Sequence, residues 1–443
     1  MMLEGWGRYP RHESEVLGCA FPHVLATAVP SHTGLAARGN GRSYGDAAVG
    51  EKATLMCREL NRMKAFDPST TLLTVEGGAM LSDILHAFVP RGYFPPVVPG
   101  TKFVTVGGMI ASDVHGKNHH RDGGFGNHLT EFKLVLASGE AVTCSRRENP
   151  ELFFATIGGM GLTGVIAEAT FTMKPIETGW ILQETLVADD LGEALDALRA
   201  TEESSYSVAW IDCLSRGASL GRSLVFSGEH ATREKVFSHM SQGELFPAMK
   251  GPMLGLPIDL PGWALNKASV SAFNEFYFRA GARKVKAPSL VHWNPYFFPL
   301  DGIHQWNRLY GKRGFLQHQC VVPEANALSV LGDILERFAR SGKGSFLAVL
   351  KKLGKGTGLL SFPLSGYTLA LDLPATADVF PLLEEIDRTV VEAGGRLYLA
   401  KDARQSRRTF EAGYPQLTAF KELRQTVGAD LRFNSRLSTR LGI

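Results

Sequence analysis

Three glycine-rich runs within residues 38–164 hold the residues best suited to chemistry. The first is Arg38-Gly39-Asn40-Gly41-Arg42-Ser43-Tyr44-Gly45-Asp46. Glycine turns tightly and leaves successive backbone N–H groups uncovered, so such a run makes a nest for an anion. Arg38, Arg42 and the Ser43 hydroxyl add donors of the kind a pyrophosphate takes. The second joins Pro99-Gly100-Thr101 to Thr105-Val106-Gly107-Gly108-Met109-Ile110-Ala111-Ser112-Asp113-Val114-His115-Gly116, and the third is Gly158-Gly159-Met160-Gly161-Leu162-Thr163-Gly164. The first run lacks the G-x-G-x-x-G spacing and no P-loop lysine follows it, which disfavours a Rossmann dinucleotide site. One such run is as readily a hairpin. Three together argue for main chain closing on a flat or anionic ligand, because ordering glycine costs entropy.

Other reactive side chains are dispersed. His115, His119, His120 and His128 crowd one segment and raise the question of a metal, but no further ligand spacing supports one, and a structural histidine cluster stands beside that reading. Gln317 and Gln319 are two apart on a strand and point the same way, offering two amides to a cavity wall or to solvent. Lys401, followed by Asp402, reads by itself as half of a weak surface ion pair. If buried, its amine would lose basicity and could take a proton. Lys351, in Val349-Leu350-Lys351-Lys352, reads by itself as a solvated charge.

The elements that must position these residues are legible in outline. Residues 71–75, 132–136 and 165–173 read as strands; residues 81–88 read as a short helix capped by Ser82, and Asn149 opens another. Residues 184–201 read as an amphipathic helix, followed by strands over 207–212 and 223–227. Residues 241–300 are rich in Pro, Phe and Leu with little periodicity, and suggest a lid or surface-binding segment. Strands over 314–322, 345–350 and 367–373 alternate with helices over 324–340 and 378–393. That order predicts an antiparallel sheet covered by helices. A strand and basic helices follow Arg396.

Composition bounds the rest. The 443 residues carry a net charge of only +3, which gives no reason to expect nucleic acid. Five scattered cysteines argue for a reducing compartment. No signal peptide and no apolar run long enough to span a bilayer are apparent, so a cytoplasmic protein is expected.

The motifs together resemble a known family. Gly-x-Gly-Arg-Ser-Tyr-Gly-Asp, Pro-Gly-Thr with Thr-Val-Gly-Gly, and Gly-Gly-x-Gly-Leu-Thr-Gly resemble FAD-binding domains of the vanillyl-alcohol-oxidase (PCMH) type. The run His115-Gly116-Lys117-Asn118-His119-His120 is more specific, as are Phe125-Gly126-Asn127-His128, Gly314-Phe315-Leu316-Gln317-x-Gln319, Leu360-Ser361-Phe362-Pro363 and Gly395-Arg396-Leu397-Tyr398-x-Ala400-Lys401-Asp402. These resemble the decaprenylphosphoryl-β-D-ribose 2′-oxidase family over nearly the whole chain.

The resemblance implies an α+β fold of two domains: FAD-binding residues 1–178, a substrate domain over 179–395 with an antiparallel sheet covered by helices, and a segment 396–443 returning to the first. It implies FAD, oxidation of the ribose 2′-hydroxyl of a polyprenyl-phosphoryl ribose, and a partner short-chain keto-reductase. Quinone and dioxygen are both compatible as electron acceptor. A polyprenyl substrate also implies peripheral contact with the inner face of the plasma membrane. For the cofactor it implies residues 38–44, Gly100, Thr101, Thr105, Val106, Gly107, Gly108, Ser112, His115, Gly116, Asn118, Ile166, Tyr398 and Lys401. Lys401, Gln319 and His115 are implied as catalytic. Gln317, Gln319, Trp210, Phe297, Lys351, Ala370 and Lys401 are implied to line the substrate pocket, with no metal.

Three positions bear on specificity. Arg42 stands where many relatives carry a flavin-tethering histidine, so FAD is expected to be non-covalent. Ala370 stands where mycobacterial relatives have the cysteine that covalent nitroaromatic inhibitors attack, which predicts resistance to that chemistry. Phe297 replaces a pocket tyrosine. An FAD oxidase of free alditols or aldonolactones is the competing enzyme, and a flavin-free binding protein on the same fold is a third reading.

Overall fold

The computed structural model of the chain describes residues 1–240, 244–249, 251, 254–261, 265–283, 285 and 287–443. Near the start of the chain lies a small parallel sheet: β1 (Glu15–Gly18), β2 (Leu35–Arg38) and β3 (Ala53–Met56), with β3 in the middle. An antiparallel sheet follows, made of β4 (Met63–Asp67), β5 (Leu72–Glu76), β6 (Leu129–Val135), β7 (Ala141–Ser145) and β8 (Val165–Thr172). Its order is β7-β6-β8-β5-β4. The two sheets share a core in which Leu35, Ala53, Leu55, Val135 and Val165 meet Phe433 from the far end of the chain. That end is tied down by bridges from Leu35 to Phe433 and from Gly50 to Ser435. Buried Arg424 donates to the carbonyls of Leu162 at 3.0 Å and Phe433 at 2.6 Å.

The expected antiparallel sheet is present. It comprises β9 (Trp180–Ala188), β10 (Tyr206–Ile211), β11 (Ser223–His230), β12 (Ser289–His292), β13 (Phe315–Pro323), β14 (Ala348–Leu353), β15 (Gly366–Pro374) and β16 (Arg396–Leu397). Their order is β12-β9-β11-β10-β14-β15-β13-β16. Alternation divides the two faces. Ala209, Ile211, Val322, Leu350, Leu369 and Leu371 pack into a core with residues of the helices Leu191–Ala200, Ala327–Ser341 and Val379–Glu392. Burying each of the valine, leucine and isoleucine side chains contributes about 1.5–3 kcal/mol. The opposite face carries Trp210, Gln317, Gln319, Val349, Lys351, Ala370 and Asp372.

Three expectations need correction. The span 184–201 is not one helix: residues through Ala188 belong to β9 and pair with β11. The helix starts only after Asp190, whose side chain accepts from Glu193 N. Cross-strand hydrogen bonds override an ambiguous local pattern there. Ser82 lies inside its helix, and Met80 is the N-cap. Asn149 stands at the N-cap in a left-handed conformation, and its side chain accepts no capping bond; its amide donates to Thr143 O.

Residues 241–300 contain a regular helix, here α1 (Lys267–Ala282), capped by Asn266, which accepts from Ala268 N and Ser269 N. Outward Phe276 and inward Asn274 blur its apolar period. The lid reading of residues 241–243, 250, 252, 253, 262–264, 284 and 286 lies outside the described residues.

Candidate active site

A cavity of about 830 Å³ lies between the glycine runs and the free face of the large sheet. That is ample for a ligand well above fragment size. Main chain forms one side. Gly39, Gly100, Gly107, Gly108, Gly116, Gly161 and Gly164 line it, with Asn40, Arg42, Ser43, Tyr44, Thr101, Thr105, Ser112 and Ile166. A side chain at Gly100 or Gly161 would meet no heavy atom within 4 Å, so both open onto free space; Gly161 also holds φ at +75°. Arg42 is stacked 3.8 Å over the Trp6 ring.

The register of the large sheet builds the other side. Gln319 faces Ala370, Ala370 faces Val349, and Val349 faces Trp210, one residue from each of four strands. Gln317 faces Asp372 and donates to it at 2.6 Å. The Gln319 amide donates to His115 Nε2 at 2.9 Å and to Thr368 Oγ1 at 3.2 Å. His115 therefore accepts at Nε2. Burial, then the charges of Lys351, His119 and Lys401, push its pKa well down, so the ring is neutral. Its buried Nδ1 has no partner among the described residues.

Lys401 follows the short β16, where Tyr398 N and Tyr44 N bind the carbonyls of Gln319 and Ala400. Its ammonium lies 3.6 Å above the Tyr44 ring. Asp402 is not its partner. Asp402 pairs with Arg440 at 2.9 Å, and Arg440 also pairs with Asp46 at 2.9 Å, clamping the lysine segment to the first glycine run. Freed of Asp402, Lys401 lines the cavity. Burial lowers its pKa to about 7, against the raising effect of Asp372. Burial raises Asp372 to about 7, against its hydrogen bond from Gln317 and the charge of Lys401.

Two further lysines face the same space. Burial lowers Lys351 to about 8 and Lys117 to about 7, and no carboxylate offsets it in either case. Lys117 donates to Tyr296 O and lies 4.1 Å from that ring.

Not every expected residue reaches the cavity. Arg38, Gly41, Val106 and Asn118 do not line it. Arg38 donates to Glu4 O at 2.7 Å and Ala48 O at 3.2 Å, and Gly41 packs on that guanidinium. Val106 is wholly buried in a core cluster. Asn118 donates to Pro96 O and Asp122 at 2.8 and 2.7 Å. These four shape the loops. Phe297 lines the cavity while packing against Tyr206 and Phe94, with ring centroids 4.8 and 5.0 Å away. His119, His120 and His128 bind backbone groups of Gly354, Ser204 and Asp122. No cluster of three metal-ligating side chains occurs among the described residues.

Sequence reasoning missed Trp6, Lys117, Asp372 and α1. Asp372 was in reach, since it shares parity with Ala370 on one strand. Lys117 lay inside a quoted motif. Trp6 had no local signal.

Comparison with known proteins adds the decisive observation. A family described as FAD binding domain matches residues 11–145. The decaprenylphosphoryl-β-D-ribose oxidase of Mycolicibacterium smegmatis is 38% identical over 99% of this chain and 97% of its own. The chain belongs to the decaprenylphosphoryl-β-D-ribose oxidase family. A Streptomyces coelicolor protein of uncharacterised role is 36% identical over 82% of this chain and all of its own. By contrast, a putative D-arabinono-1,4-lactone oxidase of Neurospora crassa is 29% identical over 31% of this chain and 24% of its own.

As a member of the decaprenylphosphoryl-β-D-ribose oxidase family, the protein is an FAD-dependent oxidoreductase of α+β fold. The cavity fits the cofactor: a glycine-walled cradle leaves room for flat rings, and the buried His115 Nδ1 awaits a polar edge.

Proposed function

We propose that the enzyme oxidises the ribose 2′-hydroxyl of a polyprenyl-phosphoryl-β-D-ribose to the 2′-ketone. The observation that carries this is the convergence of Lys401, Gln319, Lys351 and Lys117 beside the glycine cradle. Bound FAD supplies the two-electron acceptor. Neutral Lys401 takes the hydroxyl proton at Nζ, its basicity set near neutrality by burial. Gln319, braced by His115 and Thr368, orients the sugar. Lys351 attracts the phosphodiester, whose charge restores the ammonium that burial disfavours. Tyr398 is fixed by its hydroxyl on Ser112 O at 2.9 Å and walls the cofactor side. Arg42 gives FAD no tethering atom, so the flavin is held without a covalent bond.

In this reading residues 1–178 and 396–443 form the FAD domain, and 179–395 the substrate domain. The ketone passes to a short-chain keto-reductase, and quinone or dioxygen reoxidises the flavin. No helix among the described residues is long and apolar enough to cross a membrane. Exposed Leu254, Ile258 and Phe276 are the apolar side chains proposed as the face for peripheral contact. In vesicle co-sedimentation, Ile258→Ser with Phe276→Ser is expected to weaken binding, and undiminished binding would argue against this face.

The test of the activity is anaerobic mixing of the holoenzyme with lipid-linked ribose, free alditols and aldonolactones. Bleaching of the blue flavin band by the lipid-linked sugar alone is expected. Bleaching only by free polyols would reverse the assignment.

A further inference from the structure

Beyond the reacting end, the cavity changes character. The row Gln319–Ala370–Val349–Trp210 runs from amide to methyl, isopropyl and indole across four strands. At the usual spacing between strands this is roughly 14 Å. Lys351 stands two residues from Val349 on the same face, so a cation marks the middle of the row and apolar groups its far end.

Helix α1 roofs that end. Val270, Phe273 and Tyr277, spaced three and four apart, form one stripe facing the cavity. Tyr277 lies 4.8 Å from the Trp210 ring, and Phe273 lies 5.8 Å from the Phe346 ring. The Trp210 indole N–H is spent on Phe346 O at 3.1 Å, leaving its carbon surface to the cavity.

The helix is held at this height by further contacts next to that stripe. Buried Asn274 donates to Asp212 at 2.8 Å; Arg222 pairs with Asp212 at 2.8 Å and Glu275 at 2.6 Å. Gly281 seats the helix close against the Leu224 side chain, whose methyl would have to move for a Cβ. The width of the limb is therefore fixed by the fold.

We infer that this limb binds the first isoprene units of the substrate's polyprenyl chain, with Trp210, Val270, Phe273 and Tyr277 as its walls. The inference rests on the proposed lipid-linked sugar and deepens it. Sugar, phosphate and hydrocarbon follow one another in the ligand in the order amide, lysine and aromatic wall follow one another in the protein. A chain that offers no hydrogen bonds suits walls that offer none, and its burial supplies binding energy in proportion to apolar area.

The test compares farnesylphosphoryl-β-D-ribose with ethylphosphoryl-β-D-ribose as reductants of the flavin, in wild type, Phe273→Ala and Val270→Trp holoenzyme. The ratio of the two kcat/KM values is expected to fall about tenfold in each variant, the loss of one well-packed apolar contact. Farnesyl monophosphate, which lacks the sugar, is measured by equilibrium binding and is expected to bind both variants about tenfold more weakly. An unchanged ratio and unchanged farnesyl monophosphate binding would overturn the inference. If neither phosphoryl ribose reduces the flavin, the oxidase reading fails, and farnesyl monophosphate binding alone decides the limb. Should Val270→Trp not fold, Phe273→Ala decides.

Discussion

Along the glycine runs the cavity is walled by main chain, whereas along β10, β14, β15 and β13 it is walled by side chains. The main-chain wall depends on close approach: Gly45 lies against the carbonyl of Asp402, and Gly39 against the side chain of Thr105, with no room for a Cβ at either. The side-chain wall depends on register: a slip of one residue in β13 would turn Gln317 and Gln319 into the helix-covered core and His318 outward. In the proposed function one side shapes the cofactor, and the other places reactive groups over it. Damage to them should therefore separate into loss of flavin and loss of chemistry.

The largest separation is expected from Lys401→Met. Flavin reduction by the lipid-linked sugar should slow by about 10²–10⁴-fold, the range for removing a general base. Flavin content should stay at the wild-type level, and loss of flavin instead would assign Lys401 to holding the cofactor. Gly45→Ala should do the opposite. Its Cβ meets backbone at Asp402, which cannot yield as a side-chain tip can. The strain of about 1–3 kcal/mol should lower Tm and flavin occupancy together. A variant with full flavin and unchanged Tm would mean that the loop gives way without cost.

A subtler effect concerns pH. If neutral Lys401 takes the proton, reduction should speed up as pH rises through about 7. The Asp372 carboxylate favours the ammonium, so removing it lowers the lysine pKa further. Asp372→Asn should therefore move this limb to lower pH by about one unit. A limb unmoved, or moved to higher pH, would take Asp372 out of the proton step. The smallest effect is on the cofactor bond itself: acid precipitation should leave the flavin in the supernatant, and colour retained in the pellet would contradict a non-covalent site at Arg42.

Much of this was readable before folding. The three glycine runs announced a ligand, and all three contribute to the cavity wall. Gln317 and Gln319 followed from strand alternation. Yet the same runs also contained residues that only brace loops, Arg38 and Asn118 among them. A guanidinium aimed at a carbonyl and one aimed at a phosphate have the same sequence signature. Lys401 shows the reverse. Beside Asp402 it looked like half of a surface pair, and a distant Arg440 claimed that carboxylate.

The sequence by itself determined where main chain must come close, because only glycine tolerates such approach and its clusters are visible locally. It also determined which strand residues share a face, because the period of two is covalent geometry. Tertiary structure alone decided which strands lie side by side, and so set Gln319, Ala370, Val349 and Trp210 in one row. It also decided burial, and with it the basicity of Lys117, Lys351 and Lys401. Neighbours across a sheet and the depth of a charge are long-range quantities, fixed when the chain packs and by no short stretch of it.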